Sequence, residues 1–302
     1  MTLLELIEAG AAQFTQARLS FGHGTANAFD ESAWLVLWTL GLPLDTPLAG
    51  PDSKGNMAVD PVDSARAAII FESRISTRKP AAYLTHEAWL QGVSFYVDER
   101  VIVPRSLIAE LMADGSLDYW LHETTQAVLD LCTGNGSLAI LAALTYPEVE
   151  VTASDLSTDA LAVARINVDR HELGERITVL ESDGLTAPGL VARGPFDLIL
   201  CNPPYVNATS MAQLPAEYRA EPALALDGGS DGMDFIRTLL KDAPTHMAAG
   251  AVLVLEVGNE RDHFEAAFPQ LEVVWLETSA GDDQVLVAAR EALEHFSLQQ
   301  EQ

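Results

Sequence analysis

The sequence predicts an α/β protein: a doubly wound, parallel sheet of seven strands, preceded by a small helical domain and a linking β-hairpin. Three observations carry this. From Thr125 onward, short apolar runs alternate with helical stretches, the pattern of parallel strands joined by crossover connections. A glycine turn, Gly134-Asn135-Gly136, falls between the first of those runs and an apolar helix. The first 85 or so residues instead repeat apolar side chains at three- and four-residue spacing.

In chain order, Leu3, Leu4, Ile7 and Ala11 form one helical stripe. Trp34, Leu35, Trp38 and Leu42 form a second, and Ala67, Ile70, Phe71 and Ile75 a third; each is expected to face a core. Pro43 to Pro61, rich in Pro, Gly and Asp, reads as an exposed loop. Gln91 to Val97 and Val101 to Val103, with turn residues Asp98-Glu99 between them, read as a hairpin. The seven strands are expected at Ala127 to Leu131, Val149 to Ser154, Ile177 to Glu181, Phe196 to Cys201, Ala251 to Val257, Val273 to Glu277 and Val285 to Ala289. The expected division is a helical domain over 1–88, a hairpin linker over 89–106 and a ligand-binding domain over 107–302, with Leu298 to Gln302 a polar tail that frays.

Composition narrows the function classes. A chain of 302 residues, 48% of them hydrophobic, can bury a sizeable core without disulfide or metal staples. Its two cysteines, Cys132 and Cys201, lie in apolar strand-like runs without metal-ligand or redox spacing, so both read as small core thiols. Met1 to Gly10 has no basic leader and no apolar run is long enough to span a bilayer, so a cytoplasmic protein with no membrane partner is expected. Net charge is −27, and beyond Arg105 there are 9 Lys and Arg against 32 Asp and Glu. A duplex-binding enzyme needs cations to offset phosphate, so no stable nucleic-acid binding is expected, whereas a basic protein partner suits this surface.

Two constellations carry chemistry. The first begins with Asp130, runs through Thr133, Gly134 and Gly136, and continues to Asp155 at the next strand end and to Asp183-Gly184 after the third. Asp155 is placed to accept both hydroxyls of a ribose. Gly134-x-Gly136-x-x-Ala139 also satisfies a dinucleotide fingerprint, which leaves a dehydrogenase open on those residues. Asp130 favours S-adenosylmethionine instead: a carboxylate holds the ammonium of a methionine moiety but repels a pyrophosphate. Asp183 is placed to accept the exocyclic amine of adenine. The second constellation is Asn202-Pro203-Pro204-Tyr205, at the end of the run Phe196 to Cys201. Two prolines stiffen the loop and remove two backbone donors. An amide or adenine nitrogen is a poor nucleophile because its lone pair is delocalised; the Asn202 oxygen and the Pro203 carbonyl can hold its two hydrogens, with Tyr205 as a flat wall.

With Val103-Pro104-Arg105-Ser106, Glu221 to Leu226, Gly228 to Gly232 and Glu256-Val257-Gly258-Asn259, these segments resemble the protein-glutamine N5-methyltransferases over nearly the whole chain. Phe21-Gly22-His23-Gly24-Thr25, Tyr96 to Arg100 and Asp130 to Gly134 resemble the branch that methylates large-subunit ribosomal protein L-three more than the release-factor branch. The resemblance implies a class I S-adenosylmethionine-dependent methyltransferase fold, with residues 1–88 recognising a basic protein substrate and residues 107–302 catalytic. It implies that Asn202 and Pro203 orient a glutamine amide, that Pro204 and Tyr205 complete the acceptor site, and that Asp130, Thr133, Gly134, Gly136, Asp155, Asp183, Gly184 and Asn202 bind S-adenosylmethionine. No metal is implied. Ser106 stands where release-factor enzymes carry another proline and Ser137 where a cysteine is expected; neither touches an expected contact. Arg105 is expected to pair with an acid or the cofactor carboxylate, and His23 reads as a structural turn residue. The alternatives are a release-factor methyltransferase, an adenine-N6 nucleic-acid methyltransferase and a non-catalytic ribosome-assembly factor.

Overall fold

The computed structural model describes residues 1–300. Four helices come first. α1 (Leu3–Gln16) opens on a capping box in which the Thr2 hydroxyl accepts the Glu5 backbone N–H and the Glu5 carboxylate accepts that of Thr2. α2 (Ala28–Leu40) is capped by Asn27, and α3 (Pro61–Thr77) by Asp60 with proline at its first position. With α4 (Ala81–Thr85) they enclose Leu3, Ile7, Phe14, Leu35, Ala67 and Phe71 in one apolar cluster. Trp38, expected in that core, is 38% exposed. Trp34, Leu35, Val36 and Leu37 already occupy the inward sides of α2, and the remaining apolar side faces water. The cluster also takes in Ala160 and Val163, so the helices pack onto the sheet-bearing part of the chain.

β1 (Ala88–Leu90) and β2 (Val93–Phe95) form the hairpin, with Leu90 opposite Val93. It lies earlier than the sequence suggests. Gln91 and Gly92, both at positive φ, make the two-residue turn that matches strand twist. Asp98, read as the turn, is instead bound by the Arg100 side chain and backbone N–H, and the Val103 N–H goes to the Glu221 carboxylate rather than to a strand partner.

The rest alternates. α5 (Ile108–Ala113) leads to β3 (Ala127–Leu131), α6 (Ser137–Thr145), β4 (Glu150–Asp155), α7 (Thr158–Arg170), β5 (Ile177–Glu181), α8 (Pro188–Val191) and β6 (Phe196–Cys201). There follow α9 (Ala208–Gln213), α10 (Asp234–Asp242), β7 (Met247–Glu256), α11 (Arg261–Ala267), β8 (Val274–Thr278), β9 (Gly281–Ala289) and α12 (Arg290–Gln300). All seven expected strands are present, β7 and β9 starting earlier than expected. They are ordered β5-β4-β3-β6-β7-β9-β8, parallel except for β9, which runs antiparallel to both neighbours. The tail expected to fray from Leu298 is helical as far as Gln300; positions 301 and 302 lie outside the described residues. No described helix is long and apolar enough to cross a membrane.

The register aligns the functional ends. Leu131 lies opposite Ser154 and Cys201, and Asp155 opposite Glu181. The carboxyl ends of β3, β4, β5 and β6 are therefore flush, and strand order reverses between β3 and β6, where open α/β sheets bind ligands.

Candidate active site

Asp130, the penultimate residue of β3, is 1% exposed. Its Oδ2 accepts the Thr133 hydroxyl and the Ala139 N–H (2.9 Å), while Oδ1 is buried with no partner among the described residues. Burial pushes this carboxyl up to about 7, the Asp155 charge adding to the effect against the hydrogen bonds that favour ionisation. A buried acid with a free oxygen is a cation's complement. Asp155, ending β4, accepts the N–H of Gly134 on Oδ2 (2.9 Å) and that of Ser157 on Oδ1 (2.8 Å), and burial raises its pKa too.

One cavity is lined by Gly134, Asp155, Asp183, Gly184, Asn202 and Pro204, so six of the sequence-derived residues share a wall. Asp130, Thr133 and Gly136 do not line it. Thr133 steadies Asp130, and Gly136, at φ +83°, caps α6 where a Cβ would lie 3.3 Å from Ala164 of α7. Cys132 corrects one expectation: it sits at φ +61° in the turn, half-buried on the cavity wall, while Cys201 alone is a buried core thiol.

A second cavity is lined by Arg105, Asn202, Pro203, Tyr205 and Tyr218, and Asn202 borders both cavities. Among the described residues, neither the Asn202 amide nor the Pro203 carbonyl has a hydrogen-bond partner. The loop carrying them is strapped down: Val206 donates to the Leu226 carbonyl (2.9 Å) and accepts from the Gly228 N–H (3.0 Å). Gly258, at φ +52°, leaves room for the Tyr205 ring, which an added Cβ would approach to 2.5 Å. The Tyr205 hydroxyl donates to Glu256 Oε1 (3.2 Å), whose Oε2 accepts the Ser106 hydroxyl (2.6 Å) and the Leu107 N–H (2.9 Å). Ser106 is thus no bystander: it holds the carboxylate that anchors the acceptor wall. Burial, reinforced by Glu256, drives the Tyr205 pKa well up, so it remains a phenol.

Arg105 does pair with an acid. Its guanidinium meets both Glu221 oxygens at 2.7 Å. Burial opposes the Glu221 charge, yet Arg105 and His23 outweigh it and hold the carboxyl at about 2. His23, read as a turn residue remote from the sheet, is buried with Nε2 3.5 Å from Glu221 and its ring centroid 4.3 Å from that of Tyr218. No local pattern joins residues so far apart in sequence. Arg100, Leu224 and Phe235 also line the first cavity without having been singled out as cofactor contacts. Leu224 belongs to the segment Glu221 to Leu226, and that segment borders both cavities through Ala225.

Residues 114–219 match the methyltransferase small domain family. Among solved structures, the catalytic domain of human METTL16, determined with the MAT2A 3′UTR hairpin 6, superposes with a TM-score of 0.52 at 15% identity, covering 76% of this chain and 81% of that one. That likeness shows the fold, a class I methyltransferase. The ribosomal protein uL3 glutamine methyltransferase of Burkholderia pseudomallei is 52% identical over 95% of this chain and 94% of its own. That of Bordetella pertussis is 50% identical over 97% and 96%, and that of Bradyrhizobium diazoefficiens 43% over 94% and 89%. With such identity maintained across nearly the full length of both partners, the chain belongs to the ribosomal protein uL3 glutamine methyltransferase family.

Proposed function

We propose that this protein transfers a methyl group from S-adenosylmethionine to the side-chain nitrogen of a glutamine in large-subunit ribosomal protein uL3. The observation that carries the reading is the position of Asn202 between two cavities, one edged by Asp155 and Asp183 and the other by Pro203 and Tyr205. Residues lining the first cavity fit the cofactor, Asp155 its ribose hydroxyls and Asp183 its adenine amine, and the unpartnered Oδ1 of Asp130, next in the chain to the lining residue Leu131, suits its ammonium. Bound there, the cofactor supplies a methyl group made electrophilic by the attached sulfonium.

The chain's own part is orientation. Asn202 Oδ1 and the Pro203 carbonyl accept the two glutamine N–H groups, which turns the nitrogen lone pair out of conjugation and toward the first cavity. Tyr205, neutral and fixed by Glu256, packs against the amide and abstracts no proton. The nitrogen sheds its proton to water once methylation has made it acidic. Residues 1–88 recognise the protein substrate in this reading. The charge of −27 supports a protein acceptor over nucleic acid.

The test offers labelled S-adenosylmethionine with uL3, a release factor and unmodified RNA, and locates the methyl by mass spectrometry. Label on a uL3 glutamine is expected; label on RNA or on the release factor alone would overturn the reading. Asn202→Ala should lower kcat by about 100-fold or more, far more than it weakens cofactor binding.

A further inference from the structure

We propose that a pocket between the N-terminal helices and the hairpin docks a second segment of the same protein substrate, an apolar side chain flanked by Lys or Arg; this rests on the function proposed above. Its walls are Trp34, Pro43, Leu44, Asp45 and Trp89, with Gly24 and Thr25. Trp89 is 45% exposed and Leu44 39%, so two large apolar side chains meet water at one concave place, which is the composition of a recognition core.

Trp34 is buried and gives the pocket an apolar wall. No Lys or Arg lines the pocket, whereas Asp45 does. A protein that sits among ribosomal RNA phosphates must be rich in cations, so the occupant's flanks complement that charge.

The pocket also lies within reach of the acceptor cavity. A Cβ on Gly22 would come 2.3 Å from the Tyr218 hydroxyl, and one on Gly24 would come 3.4 Å from the Trp34 ring. Gly22 therefore touches the acceptor wall and Gly24 touches the pocket wall, and two peptide units span about 7 Å at full extension. One polypeptide can present a glutamine to Asn202 and, a few residues away, an apolar side chain to Trp34 and Trp89.

The experiment compares steady-state methylation of full-length uL3 by the wild-type protein and by Trp89→Ala, Leu44→Glu and Leu44→Lys, all at exposed positions, with circular dichroism confirming the fold. Each variant is expected to raise KM for uL3 by about tenfold, Leu44→Lys more than Leu44→Glu, with kcat and the S-adenosylmethionine Kd within about twofold. Tryptophan fluorescence should change when uL3 is titrated into the wild type and lose most of that change in Trp89→Ala. If the wild type methylates uL3 while all three variants keep its KM, the docking pocket is wrong and the proposed function stands. If the wild type leaves uL3 unmodified, both fall.

Discussion

Asp130 ionises near neutrality, so it ties both stability and ligand affinity to pH. Its carboxyl stands at about 7 in the folded chain against an ordinary 3.8. Between those values the native state holds more protons than the unfolded one, so this group's contribution to stability is complete below about pH 4 and is lost as pH rises through 7. Cation binding runs the other way, because it requires the carboxylate. The affinity for S-adenosylmethionine should therefore rise with pH, by up to about tenfold per unit below 7, and level off above it. Asp130→Asn should bind more weakly and lose that slope; calorimetry from pH 5.5 to 8 reads both, and an unchanged slope in the variant would remove Asp130 from the binding site. At this scale much was legible. Asp130, Asp155 and Asn202 sit at strand ends, and strand ends can be read from local patterns. His23 and Glu221 meet across nearly two hundred residues, and nothing local to either announces the other.

The acceptor loop works as an element because its neighbours leave room for it. Three glycines border Tyr205: Cβ atoms on Gly228 and Gly232 would strike its backbone at 2.7 and 2.2 Å, and one on Gly258 its ring at 2.5 Å. Gly258 is the informative one, since it alone meets the ring rather than the backbone, and its φ of +52° adds strain to the clash. Gly258→Ala is expected to cost about 1–3 kcal/mol of stability and to lower kcat by about tenfold, with the cofactor Kd nearly unchanged. Chemical denaturation and steady-state rates measure the two; normal turnover would mean that the position of Tyr205 does not matter. Which glycine touches what is not legible in the sequence, since steric contact is a property of the folded chain. The hairpin shows the same limit. Two apolar runs flanking Asp98-Glu99 look like strands, but positive φ at Gln91 and Gly92 sets the turn, and Asp98 is taken up by Arg100.

For the molecule as a whole, buried ion pairs join the helical half to the acceptor wall. Arg74 of α3 is fully buried. Its Nε donates to Glu31 of α2 (2.8 Å), Nη2 to the Ser20 carbonyl (3.0 Å), and Nη1 reaches Glu217 at 3.5 Å, 143 residues away. Arg78 adds a second donor to Glu217 at 3.1 Å. Glu217 immediately precedes Tyr218, which lines the acceptor cavity, so this cluster fixes where the N-terminal helices stand relative to the site. Replacing Arg74 by Met strands the buried Glu31 carboxylate without its counter-charge, while Glu217 keeps Arg78. The expected cost is about 3–5 kcal/mol, measured as a lower Tm and denaturation midpoint, because a buried charge left alone is far more costly than the intact pair is favourable. The double change Arg74→Met with Glu31→Met should recover most of that loss, since it removes the stranded charge as well. In the double variant the two readouts separate: stability returns, but KM for uL3 stays raised because Arg78 alone is left to tie the helices to Glu217. Recovery of both would mean that Arg74 serves stability alone and does not align the two halves.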